Sequence, residues 1–300
     1  MKINTNISSL TAQEAAKNTN NSISSSLEKL STGLKINKAS DDASGLAIAD
    51  KLRTQVTSLN QGIANGNSAV ALLQIADKSM AEQSKILDTV KAKLIQANTD
   101  TTSSVGRVAI AKDINKLLDQ LNNIAEQTNY NGTALLQKGM GDSAGATASS
   151  NGLVFQIGES TTDLISTKTI QANVTGYSLN SLKADVSAGA AATIAADGKT
   201  VTNGFSKGMA SAAQAAVDKA ITTLNSYRGD IGSTQNQVES AVRNLMTQAT
   251  NIKNAESVIR DVDYAEESAN FNKLNIISQA GSYAISQSNA VSQNVLRLLQ

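Results

Sequence analysis

The sequence predicts a mainly α-helical protein. Its N- and C-terminal parts are expected to form long antiparallel helical rods, as in a coiled coil, with a small β-rich segment between them. In both terminal parts apolar residues recur at alternating intervals of three and four, the period of helices that pack on helices. The chain has 300 residues and no proline, so no proline kinks a long helix. From residue 133 to residue 207 the helical period is lost.

The two ends of the chain carry matching apolar stripes. The N-terminal stripe consists of Ile3, Ile7, Leu10, Ile23, Leu27, Leu30 and Leu34, and the C-terminal stripe of Leu274, Ile277, Gly281, Ala284, Ser288, Val291, Val295 and Leu298. From residue 274 to residue 300 the only charged residue is Arg297. Two stripes at opposite ends meet only if the chain folds back or meets further copies. The pattern therefore indicates assembly and not catalysis.

Turn signals divide the first half of the chain into three helices. Gly33 and the Ser40–Asp41–Asp42 cluster predict the end of one helix and the N-cap of the next. The second helix carries one apolar frame from Leu52 to Leu87. Its frame is interrupted at Gly66, Asp77 and Ser84. A third, shorter helix is predicted to stop at the Asn131–Gly132 turn signal.

The second half of the chain carries a single long frame, from Val217 to Ile259. It is interrupted at Arg228, Gln235 and Glu256. At ~1.5 Å per residue this helix is about 65 Å long, too long to be buried within a globule. We therefore expect it to lie antiparallel against the second and third helices.

The middle of the chain differs from the two terminal parts in its composition and periodicity. Residues 139–152 are rich in Gly, Ser and Ala, which is typical of a flexible link. Residues 153–157 (LVFQI) alternate as a strand does, and Asp197–Gly198 predicts a hairpin turn. This segment contains no constellation of catalytic side chains.

Composition excludes several classes of function. The chain has no His and no Cys, so zinc sites, thiol nucleophiles and imidazole acid–base chemistry are excluded. Its net charge is +1, without a run of Lys or Arg, so we expect no nucleic-acid partner. Apolar runs fall far short of the ~20 residues of a membrane span. The first residues lack an apolar h-region, so we expect export without a cleaved signal peptide.

Two pairs of carboxylates in the sequence could bind a metal ion or cap a helix. Asp41–Asp42 and Asp261–Asp263 both flank predicted helix boundaries and have no further ligands nearby in sequence, so helix capping is the better interpretation. A membrane-surface helix would carry a polar face rich in Lys and Arg, whereas the C-terminal helix carries Ser, Gln and Asn. We therefore expect no enzyme activity, no cofactor, no metal and no membrane partner.

Four segments resemble the bacterial flagellin family. They are INTNISSLTAQ (3–13), LSTGLKINKASDDASGLAIADKLR (30–53), QTNYNGTALL (127–136) and AESVIRDVDYAEESANFNKLNIISQAGSYAISQSNAVSQNVLRLLQ (255–300). The likeness covers about residues 1–138 and 208–300. The chain departs from it at two terminal positions, with Ser292 where many members have Pro and Gln300 where they have Arg.

The resemblance implies a layered organisation. Residues 1–42 and 260–300 would form the helical domain that lines the filament core, and 43–132 with 208–259 would form the rod domain around it. Residues 133–207 would face outward. The protein would be a structural subunit that polymerises into the flagellar filament, the helical propeller of motility. The alternative within this class is a hook–filament junction protein, which shares flagellin-like ends.

The resemblance also implies partners and a location. The partners would be further copies of the chain, an export chaperone and the type III export apparatus, and the hook-associated junction and cap proteins. The location would be the extracellular filament. The apolar stripes are weak because several of their positions are small residues. We therefore expect the ends to become ordered only when neighbouring subunits supply contacts.

One further expectation concerns innate immunity. Flagellins that activate the flagellin-sensing Toll-like receptor resemble one another in a segment reading Gln-Arg-Val-Arg-Glu-Leu-Ala-Val. At the corresponding positions this chain differs at Asp88, Thr89, Lys91, Ala92 and Lys93. Because Thr89 replaces an Arg that could make bidentate contacts, we expect this segment not to activate the receptor.

Overall fold

The computed structural model describes residues 6–137, 152–194, 201–202 and 204–298. The helices in these ranges are α1 (Ile7–Thr32), α2 (Ala43–Ala97), α3 (Ser104–Gln127), α4 (Asn180–Ala190), α5 (Lys207–Arg260) and α6 (Tyr264–Leu298). The strands are β1 (Asn129–Tyr130), β2 (Thr133–Ala134), β3 (Val154–Gln156), β4 (Leu164–Ser166), β5 (Thr193–Ile194) and β6 (Val201–Thr202). The predicted mainly α-helical fold with small strands is confirmed. Within the described ranges no helix has the length and apolarity that a membrane span requires.

The chain divides into two compact units. The terminal unit consists of Met1–Thr57 and Gln248–Gln300, and the central unit of Ser58–Thr247. These boundaries fall inside α2 and α5. The three-part division inferred from the sequence refers to layers of a filament, and it stays a prediction.

In the terminal unit, the turn from α1 to α2 forms as the sequence predicts. Gly33 ends α1 with a left-handed φ of 74°, and its N–H donates to the carbonyl of Lys29 at 2.9 Å. The Asp42 carboxylate accepts hydrogen bonds from the N–H groups of Ser44 and Gly45 at 3.0 and 2.9 Å. Asp42 is therefore the N-cap of α2.

The turn from α5 to α6 lies beside the turn from α1 to α2. Backbone hydrogen bonds join them, from Lys35 N–H to the Arg260 carbonyl at 2.7 Å and from Val262 N–H to the Gly33 carbonyl at 3.0 Å. Asp263 caps α6, because its carboxylate accepts from the first backbone N–H groups of that helix at 2.9 and 3.2 Å. The capping interpretation is thus confirmed at the start of α2, through Asp42, and at the start of α6, through Asp263.

In the central unit α2 and α5 are antiparallel, as predicted, but the prediction was wrong for α3. The guanidinium of Arg228 donates to Asp77 at 2.8 Å, and Lys91 contacts Asp218 at 2.5 Å, so the residue numbers of α2 and α5 run in opposite directions. The contacts of Gln83 with Leu121 and of Lys93 with Asp113 make α3 antiparallel to α2, so α3 runs parallel to α5.

Two of the three charged residues that interrupt the apolar frames, Asp77 and Arg228, therefore face each other, and the third, Glu256, belongs to the terminal unit. Another interruption, Gly66, lies against Val242, where a β-carbon would collide with the valine side chain.

A hydrophobic core fills the central unit between α2, α3, α4 and α5. Its largest fully buried side chains are mostly leucines, together with Met80, Ile114 and Ile231. Ion pairs fix the shorter helices at its edge. Lys93 of α2 contacts Asp113 of α3 at 3.0 Å, and Lys183 of α4 contacts Asp119 of α3 at 3.0 Å.

Helix α4 is an element that the sequence interpretation omitted. Its sequence, NSLKADVSAGA, is short and has only Leu182 and Val186 as large apolar residues, so no period could be recognised. Both side chains are buried. The strands are three separate antiparallel hairpins, β1–β2, β3–β4 and β5–β6. The predicted strand at 153–157 is present as β3. The turn at 197–198 lies outside the described residues, although β5 and β6 pair as that turn predicts.

A buried polar network ties the middle of the chain to this core. The side-chain amide of Gln83 donates to the carbonyls of Leu121 and Ala172 at 3.2 and 2.8 Å, and its oxygen accepts from the hydroxyl of Tyr177 at 3.0 Å. Gln83 and Tyr177 are both buried. Burial, and secondarily the neighbouring Tyr227, raises the pKa of the Tyr177 hydroxyl well above its ordinary value.

We predict that alkaline pH destabilises the protein through Tyr177. In the unfolded chain this hydroxyl ionises at about pH 10, whereas in the folded chain it stays protonated. Above that pH the unfolded state therefore binds fewer protons than the folded state. Each further pH unit then lowers the free energy of unfolding by up to about 1.4 kcal/mol. Urea unfolding followed by circular dichroism should show this slope. Tyr177→Phe should be less stable at neutral pH but have a flatter alkaline slope. The exposed-site variant Tyr130→Phe should keep the wild-type slope, and equal slopes in all three proteins would contradict the assignment.

Candidate assembly interface

Within the terminal unit, α1 and α6 pair side by side. The side-chain amide of Asn6 donates to the backbone carbonyl of Ser288 at 3.2 Å, and the hydroxyl of Ser278 donates to the side chain of Asn20 at 3.4 Å. Residue numbers therefore increase along one helix as they decrease along the other. The two terminal helices form an antiparallel pair within one chain.

The contact between these helices, which we call the seam, is built from small and polar side chains. Its buried or half-buried positions are Ser9, Ala12, Ala16, Thr19, Ile23, Ser26 and Leu30 on α1, and Glu267, Phe271, Leu274, Ser278, Gly281, Ile285 and Ser288 on α6. Ser26 donates its hydroxyl to the Glu267 carboxylate. A β-carbon on Gly281 would lie 4.0 Å from that of Ala16. Since apolar stabilisation scales with the area buried, a seam of this composition is weak.

The residues predicted to pack in a filament core fall into three groups. Ile23, Leu30 and Leu274 are half-buried in the seam, and Leu34 is half-buried in the turn after α1. The exposed members are Ile7, Leu10, Leu27, Ile277, Ala284 and Val291. The side chains of Ile3, Val295 and Leu298 lie outside the described part of the chain. Their role as contacts between subunits stays a prediction.

The single C-terminal stripe of the sequence is in fact divided between two surfaces. Leu274, Gly281 and Ser288 belong to the seam, whereas the alternate members of the stripe are exposed. Sequence reasoning missed the seam residues Phe271 and Ile285, which keep the same spacing in a register shifted along the helix. An interval of three or four fits either surface, so spacing alone could not separate them.

The exposed apolar residues of α6 lie on a face of their own, which we call the outer face. It consists of Ile276, Ile277, Ala280, Tyr283, Ala284, Ala290 and Val291. At about 100° of rotation per residue these positions spread over roughly 140° of the helix surface. Ile276, Tyr283 and Ala290 lie opposite the seam. Ile277, Ala284 and Val291 lie nearer to it. Ile276 is 67% exposed, Tyr283 73% and Val291 54%. Helix α6 thus carries exposed apolar side chains outside the seam that α1 covers, with the exposed Gln287 among them.

The segment considered for receptor recognition lies on α2 in the central unit. Asp88, Thr89 and Ala92 are exposed, and the Thr89 hydroxyl donates to the carbonyl one turn earlier at 2.8 Å. Both lysines are engaged in ion pairs, Lys91 with α5 and Lys93 with α3. The exposed part of the segment therefore presents a short hydroxyl and a carboxylate in place of an arginine fork.

Comparison with known proteins identifies relatives of the whole chain. Residues 3–141 match the family model of the bacterial flagellin N-terminal helical region, and residues 214–299 match that of the C-terminal helical region. The chain is similar to flagellin of Bacillus subtilis (strain 168), with 34% identity over 309 residues covering all of both chains. It is also similar to the flagellar filament 33 kDa core protein of Treponema phagedenis, with 31% identity over 300 residues and full coverage of both.

A solved structure shares the fold. It is a protein from Vibrio parahaemolyticus assigned as flagellar hook-associated, with a TM-score of 0.57, covering 73% of this chain and 99% of that one. The two sequences are only 11% identical, so the likeness concerns the fold alone.

We predict that Gly281→Ala strengthens the pairing of α1 and α6. Alanine is favoured over glycine in a helix interior by about 1 kcal/mol, which corresponds to roughly fivefold greater protection from hydrogen exchange. The added methyl group would also lie at an ordinary contact distance from Ala16. Hydrogen exchange of the monomer should show slower exchange in α6. Gly281→Leu should speed exchange there, because the larger side chain does not fit the seam.

The matched control for this experiment is Gly229→Ala. Gly229 is an exposed glycine of α5 with open space around its β-position. This variant gains the same helix propensity without touching the seam, so exchange in α6 should stay as in the wild type. Faster exchange in α6 of Gly281→Ala, or an equal effect from Gly229→Ala, would contradict the described seam.

Proposed function

The chain belongs to the bacterial flagellin family and is a structural subunit of the flagellar filament, and we propose that the outer face of α6 is a surface through which it joins neighbouring subunits. The observation that carries the proposal is the set of exposed apolar side chains on α6 outside the seam, among them Ile276, Tyr283 and Val291. Exposed apolar side chains that lie together usually mark a surface that another molecule covers. Further copies of the chain, which a filament supplies, would bury it.

The distribution of charge supports burial of this helix in a polymer. Beyond Lys273 the only charged residue of the chain is Arg297. An unpaired charge is costly to remove from water, whereas Ser, Gln and Asn can satisfy hydrogen bonds in many arrangements. A terminal helix that must enter a crowded core is therefore better served by neutral polar residues than by Lys or Glu.

The energetics of the outer face suit assembly that is coupled to ordering. Full burial of an Ile, Tyr or Val side chain contributes about 1.5–3 kcal/mol, and the outer face offers several in a row. Part of this gain offsets the conformational entropy lost when weakly paired helices become fixed. A filament requires head-to-tail contacts whose rotation does not close on itself, because only these generate an open helical polymer and not a ring.

The weak seam also bears on export and on the remaining partners. We propose that the chain reaches the extracellular filament through an export apparatus with the help of a chaperone, and that it meets junction and cap proteins at the filament ends. A terminal unit held by small side chains opens at low cost, which favours threading through a channel. The fold likeness to a hook-associated protein does not favour a junction role, because identities of 31–34% over the full chain are to filament proteins.

We predict that a charge on the outer face blocks polymerisation. Ile276→Asp should lower filament yield at least about tenfold, because a single lost contact of ~1.5 kcal/mol already corresponds to that factor. Seeded polymerisation, scored by sedimentation and electron microscopy, measures the yield. Circular dichroism of the monomer should be unchanged, since Ile276 is exposed in the single chain.

Ser286→Asp is the matched control for this variant. Ser286 is an exposed residue of α6 that lies on its polar side, outside both the seam and the outer face. It introduces the same carboxylate into the same helix, so its filament yield should stay close to that of the wild type. Wild-type yield from Ile276→Asp would refute the role of the outer face.

We further propose that the monomer activates the flagellin-sensing Toll-like receptor weakly. Loss of a central arginine contact typically costs 2 kcal/mol or more, roughly thirtyfold in affinity. A titration on reporter cells should therefore require a higher concentration than a standard activating flagellin. Thr89→Arg should recover part of the response. Half-maximal activation by the wild type at the standard's concentration would show the proposal to be wrong.

The control for Thr89→Arg is Thr57→Arg. Thr57 is also an exposed threonine of α2, and its hydroxyl bonds to the carbonyl one turn earlier at 3.0 Å, as that of Thr89 does. The variant adds the same charge to the same helix outside the segment. It should leave receptor activation unchanged.

A further inference from the structure

We propose that the tip of the β1–β2 hairpin is a site of spontaneous deamidation, at which Asn131 is converted with time to aspartate and isoaspartate. The reacting groups are the Asn131 side-chain amide and the backbone nitrogen of Gly132. The proposal goes beyond assembly into a filament and does not depend on it. It rests on the local geometry of this turn and on a comparison with Asn65–Gly66, one of the three other Asn–Gly pairs of the chain, which the fold places in the opposite environment. The asparagines of the remaining two pairs, Asn151 and Asn203, lie outside the described residues.

The hairpin presents the reacting groups to solvent. Asn129 pairs with Ala134 and Tyr130 with Thr133, so Asn131 and Gly132 form a two-residue turn. Their φ angles are 49° and 81°, as in a type I′ turn. Both residues are exposed, and nothing lies within 4 Å of the position that a Gly132 β-carbon would occupy. In such a turn the N–H of Gly132 lies outside the strand ladder, so no strand partner holds it.

The chemistry needs only water. The Gly132 nitrogen gives up its proton to hydroxide and bonds to the side-chain carbonyl carbon of Asn131. The carbon–nitrogen bond of the amide breaks, and ammonia leaves with a proton from solvent. Water then opens the resulting succinimide ring at either carbonyl, which gives aspartate or isoaspartate. Nothing is oxidised or reduced, and the net change is the exchange of ammonia for water.

Ring closure requires rotation of the Asn131 backbone out of its turn conformation, and this hairpin permits it at low cost. Each strand has only two residues, and a two-stranded hairpin of this length is marginal by itself. Opening the tip removes the last pair, Tyr130 with Thr133, and leaves the helices untouched. Loops and tips of this kind open with free energies near the low end of the range found in folded proteins.

The pair Asn65–Gly66 has the same two residue types in a protected setting. It lies inside α2, where Gly66 is buried against Val242. The Asn65 amide donates to the carbonyl of Gln156 at 3.1 Å, and its oxygen accepts from Gln61 at 3.0 Å. Ring closure there would require unwinding the middle of a long packed helix. The fold thus separates two chemically equivalent sites by their cost of opening.

The modification changes the charge of the subunit. Conversion of Asn131 adds one carboxylate, so a net charge of +1 falls to zero. Isoaspartate also lengthens the backbone by one carbon, which the two-residue turn cannot accommodate without losing its register. Subunits would therefore acquire, with age, a more acidic hairpin of altered shape.

The test compares both sites in one protein. Full-length chain is incubated in mildly alkaline buffer, digested with trypsin, and the peptides spanning residues 54–78 and 117–138 are sequenced by mass spectrometry over time. In the folded protein Asn131 should react at least about tenfold faster than Asn65, since each 1.4 kcal/mol of opening cost is a factor of ten. In denaturant the two rates should converge. On isoelectric separation, Asn131→Gln should accumulate acidic forms more slowly than the wild type, with Asn151–Gly152 and Asn203–Gly204 as the remaining sources.

The same measurements can overturn the proposal. If Asn65 reacts as fast as Asn131 in the folded protein, the difference in opening cost does not exist. If Asn131 reacts in denaturant but stays unmodified in the folded protein, the turn protects the site. If acidic forms accumulate as fast in Asn131→Gln as in the wild type, the reaction lies elsewhere. None of these results involves polymerisation, so a failure here leaves the assembly proposal standing.

Discussion

The proposed assembly depends on the two faces of α6. One face of this helix packs on α1 through a seam of small and polar residues, and the opposite face, around Ile276 and Tyr283, is exposed in the single chain. A helix with this distribution is incomplete in water, because only one of its apolar surfaces is removed from solvent. The family assigns the protein to a filament, and the exposed face is a physical reason for such a chain to associate with its own copies.

The central unit differs from the terminal unit in that large apolar side chains fill its core. All of the largest fully buried side chains among the described residues belong to it, and leucines dominate them. The buried Gln83 has its amide and carbonyl groups satisfied, and ion pairs such as Asp77 with Arg228 link the long helices. Large apolar residues thus give this unit a core of its own, whereas the small residues of the terminal unit bury less apolar surface, as we expect of a part that becomes ordered on assembly. The same chain therefore combines a self-sufficient part with a part suited to ordering on assembly.

Residues that interrupt the apolar pattern help to specify the register in which α2 and α5 pair. Asp77 and Arg228 interrupt two apolar frames, and in the fold they meet at 2.8 Å, so each interruption is satisfied by the other. A partly buried charge is tolerated when its partner is in place, and a shift of either helix would separate the two. Gly66 likewise lets Val242 approach α2 at a position where a side chain would collide. Purely apolar frames could slide by one repeat, and these exceptions disfavour such slippage.

The sequence by itself determined the local structure. The period of apolar residues specified long helices, Asp42 and Asp263 specified where two of them begin, and Asn131–Gly132 specified a tight turn, because each of these signals acts over a few residues. Only the tertiary structure decided which residues meet. It divided one apolar stripe of α6 between the seam and the outer face, and it recruited the short helix α4 through Leu182 and Val186, which spacing could not reveal. The physical reason is that periodicity fixes the direction of a side chain around its own helix, whereas its partner depends on residues far away in the chain.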